Sequence, residues 1–327
     1  MSQNRGYLYY LILFIFCSTV HTKVNGQKPA MYYSDSGVIG RPYAKDPFVI
    51  WFNKQYLMYY SIPGKDLKAW YIGIAKSNDL VNWQKVGDIK PKQEVEKKGI
   101  CAPGCIIRDG KVHLFYQTYG NGKKDAICHA ISHDGIEFER DADNPIFRPT
   151  TKWSIGRAID AEVVLFKDKY FLYYATRDTA YKIQEQGVAV TDANSNFSKS
   201  SWTSLSIDSA ILKPQMTWEK KCIEAASCTV RGNELFMFYA GGFNNEPQQI
   251  GVAKSRDGFK WERVFTDPIL ANGKAGSWNE SESGHPNIFR DKDGKYHLFF
   301  QGNNDKGNTW YLSKVDIGWN AKGPYLK

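Results

Sequence analysis

The chain has 327 residues, 42% of them hydrophobic and 24% charged, with a formal net charge of +9. This is ordinary globular composition, and it excludes collagen-like, disordered and coiled-coil readings. Phe, Tyr and Trp make up 48 of the residues and fall in alternating runs, which points to strands rather than helices.

Met1 to Arg5 carry one positive charge, and Tyr7 to Val20 form an apolar run of fourteen residues. A membrane-spanning helix needs roughly 20 such residues. The run is followed by a polar stretch ending Val24-Asn25-Gly26, so residues 1–26 read as a secretory signal peptide cleaved before Gln27. The rival, lipid attachment at Cys17, meets the bulky Phe16 where a small residue is expected. No second hydrophobic segment follows. The expectation is an exported protein, secreted or periplasmic, without a membrane span and with one domain over 27–327. Five cysteines remain, Cys101, Cys105, Cys128, Cys222 and Cys228, an odd number that cannot pair completely. Cys101–Cys105 and Cys222–Cys228 are the local disulfide candidates, and buried free thiols are the plainer outcome.

Five segments share one pattern of an apolar run, a turn and an aromatic run. They are DPFVIWFNKQYLMYYS (46–61), APGCIIRDGKVHLFYQ (102–117), DAEVVLFKDKYFLYYA (160–175), EAASCTVRGNELFMFYA (224–240) and HPNIFRDKDGKYHLFFQ (285–301). Their starts lie 56, 58, 64 and 61 residues apart. Each half is β-branched or aromatic, and the turns hold Asn-Lys, Asp-Gly, Asp-Lys, Gly-Asn and Asp-Gly, which is hairpin chemistry. A second pattern follows most hairpins: IGIAKSNDLVNW (72–83), CHAISHDGIEF (128–138), GVAVTDANSNF (187–197), IGVAKSRDGFKW (250–261) and, degenerate, WYLSKVDIGW (310–319). Each repeat thus supplies about four strands, and five such units predict an all-β, five-bladed β-propeller.

In a propeller the first strand of each blade lines the central tunnel, so the opening residues Asp46, Ala102, Asp160, Glu224 and His285 are predicted to converge at the axis. Carboxylates are seldom buried without partners. Several near one axis push at least one pKa upward, and groups with separated pKa values serve as general acid and general base. Trp153, Trp218 and Trp278 precede Asp160, Glu224 and His285 by seven, six and seven residues. They are candidates either for stacking on a ligand at the mouth of the funnel or for packing between blades. Arg157, three residues before Asp160, is a candidate to bind a sugar hydroxyl or to hold a carboxylate ionised. The basic residues are dispersed, whereas a nucleic-acid interface would cluster them on one face.

With these residues in place, the chain from about Tyr32 to Trp319 resembles glycoside hydrolase family 43 and related five-bladed glycosidases. The resemblance implies that Asp46 in AKDPFVIW is the general base, Asp160 in RAIDAEVVLF the residue that orients and tunes the acid, and Glu224 in KCIEAASCTV the general acid. It also implies that His285 in SGHPNIF contacts substrate or lies beside an axial Ca²⁺ or other ion. Such an ion prefers oxygen ligands, so a lone His would leave most of its shell to water. Blade three has Asp160-Ala161 where the family has Asp-Pro, and blade four has Glu224-Ala225-Ala226, closer to arabinan-cleaving members. The implied activity is inverting hydrolysis of terminal arabinofuranosyl, xylosyl or related units from oligo- or polysaccharides. A non-catalytic carbohydrate-binding propeller stands as an alternative. Asn144-Pro145-Ile146 and Asp267-Pro268-Ile269 also resemble mannoside phosphorylase propellers, which keeps a phosphate-dependent reaction open.

Overall fold

The computed structural model describes residue 29 and residues 31–65 and 69–327. The proposed signal peptide lies outside the described residues. Among the described residues twenty strands form five sheets of four, each antiparallel and in sequence order from the axis outward. Blade one holds β1 (Lys45–Phe52), β2 (Gln55–Pro63), β3 (Trp70–Ser77) and β4 (Gln84–Ile89). Blade two holds β5 (Ile100–Arg108), β6 (Lys111–Thr118), β7 (Ile127–Ser132) and β8 (Glu139–Arg140). Blade three holds β9 (Ile159–Phe166), β10 (Lys169–Arg177), β11 (Gln184–Asp192) and β12 (Thr203–Ser204). Blade four holds β13 (Ile223–Arg231), β14 (Glu234–Gly241), β15 (Gln249–Ser255) and β16 (Glu262–Arg263). Blade five holds β17 (Glu282–Arg290), β18 (Tyr296–Asn303), β19 (Tyr311–Asn320) and β20 (Gly323–Leu326). The five-bladed propeller expected from the repeats is the fold.

The aromatic second strands are apolar on both faces because each sheet is sandwiched between two others. On β2, Leu57 and Tyr59 join a core with Leu114 and Tyr116 of blade two. The alternating Tyr56, Met58 and Tyr60 instead pack on Phe289, Phe299 and Leu312 of blade five. Three further cores join blades two and three, three and four, and four and five, so the ring of packing is closed. Each ring buried in this way contributes roughly 1.5–3 kcal/mol. The segment before β1 completes the closure, with Tyr33 bridging Leu312 and Ser313 Oγ donating to the Met31 carbonyl at 2.7 Å. The hairpins turn through paired left-handed residues such as Asn53-Lys54 and Asp109-Gly110, as two-residue turns between twisted strands require.

A buttress recurs in three blades. The second-strand tyrosine donates to a buried carboxylate that a basic residue of the fourth strand also holds. The sets are Tyr60, Asp35 and Lys85; Tyr116, Glu96 and Arg140; and Tyr239, Glu219 and Arg263. The Ser-x-Asp turns are equally regular. Ser77, Ser132 and Ser255 donate to Asp79, Asp134 and Asp257, whose carboxylates take the next backbone amides. In the degenerate last copy β19 runs straight through, so no such turn forms. All five described cysteines are free, and Cys101 and Cys222 are buried in strand contacts rather than bridged to Cys105 and Cys228. No described helix is long and apolar enough to cross a membrane.

Candidate active site

The inner strand of every blade carries a bulge with one left-handed residue: Asp46, Ala102, Asp160, Ala225 and His285, with φ between 48° and 53°. A non-glycine residue pays about 1–2 kcal/mol for that conformation. In four blades the amide of the strained residue is caught by a side chain of the preceding blade. Asp46 N donates to Gln301 Oε1 at 2.9 Å, Ala102 N to Ser61 Oγ at 2.7 Å, Asp160 N to Gln117 Oε1 at 2.7 Å and His285 N to Gln248 Oε1 at 3.1 Å.

This corrects the repeat register in blade four. The slot belongs to Ala225, and Glu224 stands one residue earlier, level with Lys45, Cys101, Ile159 and Gly284. The matching Cys105 and Cys228, each three residues past its slot, carry this alignment in the sequence. Glu224 nevertheless reaches the same funnel, whose volume is about 630 Å³ and whose wall includes Asp46, Asp160, Glu224, His285, Arg157 and Arg177. Behind the slot residues the axis is almost filled, leaving a void of about 20 Å³ among Pro47, Pro103, Ala161 and Pro286.

The funnel separates its carboxyls electrostatically. Asp46, Asp160 and Glu224 are 6–7% exposed. His285 Nε2 lies 3.3 Å from Asp46 Oδ1 and 3.5 Å from Asp160 Oδ1. Burial works against charging the imidazole, but Asp46, Asp160 and Glu224 outweigh it and lift its pKa to about 9. Burial likewise opposes the Asp46 carboxylate, yet His285, Lys45 and a Ser61 hydrogen bond hold its pKa below the ordinary value. Glu224 goes the other way: burial first and the Asp160 charge second raise it, and His285, Gln248 and Lys45 only partly offset them. The funnel thus holds one carboxyl whose pKa is lowered and another whose pKa is raised, and such a separation is the equipment for general acid–base chemistry.

Arg157 stands on the funnel wall with its Nε 3.7 Å from Asp125 Oδ2, beyond hydrogen-bond range. The three predicted tryptophans are elsewhere. Trp153 donates its indole N–H to the Ser206 carbonyl at 2.7 Å, and Trp218 donates to Thr266 at 2.9 Å while stacking on Tyr239. Trp218 lies across Gly241 and Gly251, and Trp278 across Gly302, where any Cβ would collide with the indole. These are packing positions between strands, and the funnel's aromatic wall is instead Tyr43, Trp70 and Tyr119. Sequence reasoning also missed Lys45, Arg177, Gln184 and Gln248. The signal for Lys45 was its place beside Asp46; the glutamines carry no charge and gave none.

The axial ion implied by the resemblance does not fit these side chains as an inner-sphere ligand set. His285 Nε2 is already faced by two carboxylates, and among the described residues no three His, Cys, Asp or Glu side chains converge as a chelate.

A closed propeller with three buried carboxyls in one axial funnel holds the equipment of an acid–base enzyme, and sequence comparison makes this specific. The family model described as glycosyl hydrolases family 43 matches residues 37–321, and the chain belongs to that family. It is a glycoside hydrolase. Solved structures with the same fold include a thermostable family-43 glycoside hydrolase at 18% identity, covering 90% of this chain and 96% of that one with a TM-score of 0.69. An endo-1,4-beta-xylanase from Bacteroides thetaiotaomicron matches at 20% identity, with coverage of 87% and 94% and a TM-score of 0.67. An alpha-L-arabinofuranosidase from Lactobacillus brevis matches at 15% identity, with coverage of 86% and 93% and a TM-score of 0.65.

Proposed function

We propose that the protein is an inverting hydrolase that removes terminal arabinofuranosyl, xylosyl or related units from an oligo- or polysaccharide. The observation that carries this reading is the gathering of Asp46, Asp160 and Glu224 in one buried funnel, where their neighbours push the Asp46 and Glu224 pKa values in opposite directions. Glu224 gives its proton to the glycosidic oxygen as the bond to the anomeric carbon breaks. Asp46 takes a proton from the water that attacks the opposite face, and an inverting pair stands roughly 6.5–9.5 Å apart to admit that water. Asp160 raises the proton affinity of Glu224 and, with Asp46, holds His285 charged. Arg157 offers its guanidinium to sugar hydroxyls, and Trp70 with Tyr119 offers a face to the ring beyond the cleaved bond. The nearly filled axis behind the slot supports action on chain ends. The xylanase and the arabinofuranosidase among the structural neighbours favour pentose-containing substrates.

Proton NMR of the first minutes of hydrolysis tests the reading: the first-formed sugar should carry the inverted anomeric configuration. A retained anomer, or an adduct trapped on Asp46, refutes it. Turnover that requires inorganic phosphate would replace hydrolysis by phosphorolysis. Since His285 supplies the axial charge, turnover should survive dialysis against a chelator. Export rests on the apolar run Tyr7–Val20, and a mature N-terminus at Gln27 is expected by sequencing the protein from its native host.

A further inference from the structure

Glu224 is gripped by two glutamine amides, and each amide is itself oriented. Gln248 Nε2 donates to Glu224 Oε1 at 2.6 Å and to the Gly242 carbonyl at 3.0 Å, while its Oε1 accepts the His285 amide. Gln184, at the start of β11 in the preceding blade, donates from Nε2 to Glu224 Oε2. Its Oε1 accepts Arg177 Nε at 3.1 Å. Both glutamines are buried. A glutamine beside a carboxyl is free to present either end, accepting from a protonated acid or donating to an ionised one. A guanidinium has donors only. By engaging Oε1, Arg177 removes this freedom and leaves Gln184 with only N–H to offer. Arg177 is fixed in turn by Tyr181 and Phe243, whose ring centroids lie 4.6 and 4.8 Å from the guanidinium carbon.

We propose that Arg177 and Gln184 form a positioning relay that aims an N–H at Glu224 Oε2 and thereby promotes proton release from this acid to the leaving oxygen. The inference rests on Glu224 being the general acid. In that step the Glu224 O–H bond breaks, the proton joins the glycosidic oxygen, and the electron pair of the cleaved C–O bond stays on that oxygen. Water supplies the new bond to the anomeric carbon, and its proton passes to Asp46. Glu224 therefore becomes an anion in a buried place beside Asp160, where a donor held in advance strengthens as charge develops. The same donor limits how far burial lifts the acid's pKa.

The test compares Gln184→Met, which keeps length but loses the N–H, with Arg177→Met, which frees the amide to rotate. The relay predicts that the alkaline limb of kcat/KM moves up by about one pH unit in Gln184→Met, because the charged form loses a hydrogen bond. Turnover should fall roughly tenfold or more on alkyl glycosides, and far less on activated aryl glycosides, which need little protonation. Arg177→Met should move the same two readouts in the same direction by a smaller amount, with KM unchanged. A raised KM with the alkaline limb in place would make Arg177 a substrate contact and overturn the relay. Equal losses on both substrates with an unmoved limb would reduce Gln184 to packing and overturn it as well. If Gln184→Met fails to fold by circular dichroism, Arg177→Met on the funnel wall decides alone. Glu224→Gln separates the two levels: if it leaves alkyl-glycoside turnover intact the acid assignment itself fails, whereas its inactivity beside an unresponsive Arg177→Met sinks only the relay.

Discussion

Replacing His285 by Gln removes the one positive charge that Asp46 and Asp160 share while keeping a polar side chain of similar reach. The consequences follow from the imidazole pKa, lifted to about 9 by its carboxylate neighbours against the cost of burial. A raised pKa stabilises the fold fully below the unfolded value near 6.5, and that contribution is lost as pH rises from there through 9. The difference corresponds to roughly 3 kcal/mol at most. Urea titrations of wild type and His285→Gln should therefore differ most at pH 6 and converge toward pH 10. Kinetics should respond at the other end of the scale. His285 is the largest of the charges that hold the Asp46 pKa down against burial, so removing the imidazolium should raise it. The acid limb of kcat/KM should move up by the same amount. A stability difference that stays flat from pH 6 to 10, together with an unmoved acid limb, would refute the assignment of His285 as the charge that holds the base ionised.

Trp70→Ala should raise KM several-fold with little change in melting temperature, and equal effects on both would take Trp70 out of the funnel's sugar contacts. Trp218→Ala should do the reverse, costing about 2–4 kcal/mol in chemical denaturation because it empties the space over Gly241 and Gly251. His113, stacked on His129 with Nδ1 3.0 Å from His129 Nε2, has its pKa pushed down to about 3, first by burial and then by the charges around it. A depressed imidazole stabilises the fold above the unfolded pKa and loses that contribution as pH falls through 6.5 toward 3. His113→Leu should flatten the acid side of the stability curve, and an unchanged slope there would exclude this residue as its source.

The fold was legible because every blade repeats the same physical problem. A strand buried on both faces must be apolar at successive positions, as in Leu57 to Tyr60, and its hairpin must turn through residues that accept left-handed backbone, as at Asp109-Gly110. These demands leave marks at a constant spacing. The tryptophans misled for a related reason. Their offset from the slot residues is regular because Trp218 and Trp278 each cover a glycine of an adjacent strand, and regular packing imitates a regular site. The paired glutamines were illegible because an uncharged amide acquires its role only from what faces each end.

The register of Glu224 was hidden by its chemistry. Aligning the blades by carboxylates places it in the slot, while aligning them by Cys105 and Cys228 places Ala225 there. The one-residue offset has a consequence for the reaction. The slot's left-handed backbone puts Asp46 and Asp160 within 3.5 Å of one imidazole nitrogen, and the positive charge there helps hold the Asp46 pKa below the ordinary value. Glu224, coming from the paired position before the bulge, opposite Ala240, has neutral amides as its hydrogen-bond partners. Burial and the Asp160 charge then raise its pKa with only partial compensation. The step of one residue along β13 thus separates a carboxyl of lowered pKa from one of raised pKa on a scaffold whose five inner strands are otherwise alike, the division of labour that the proposed mechanism requires.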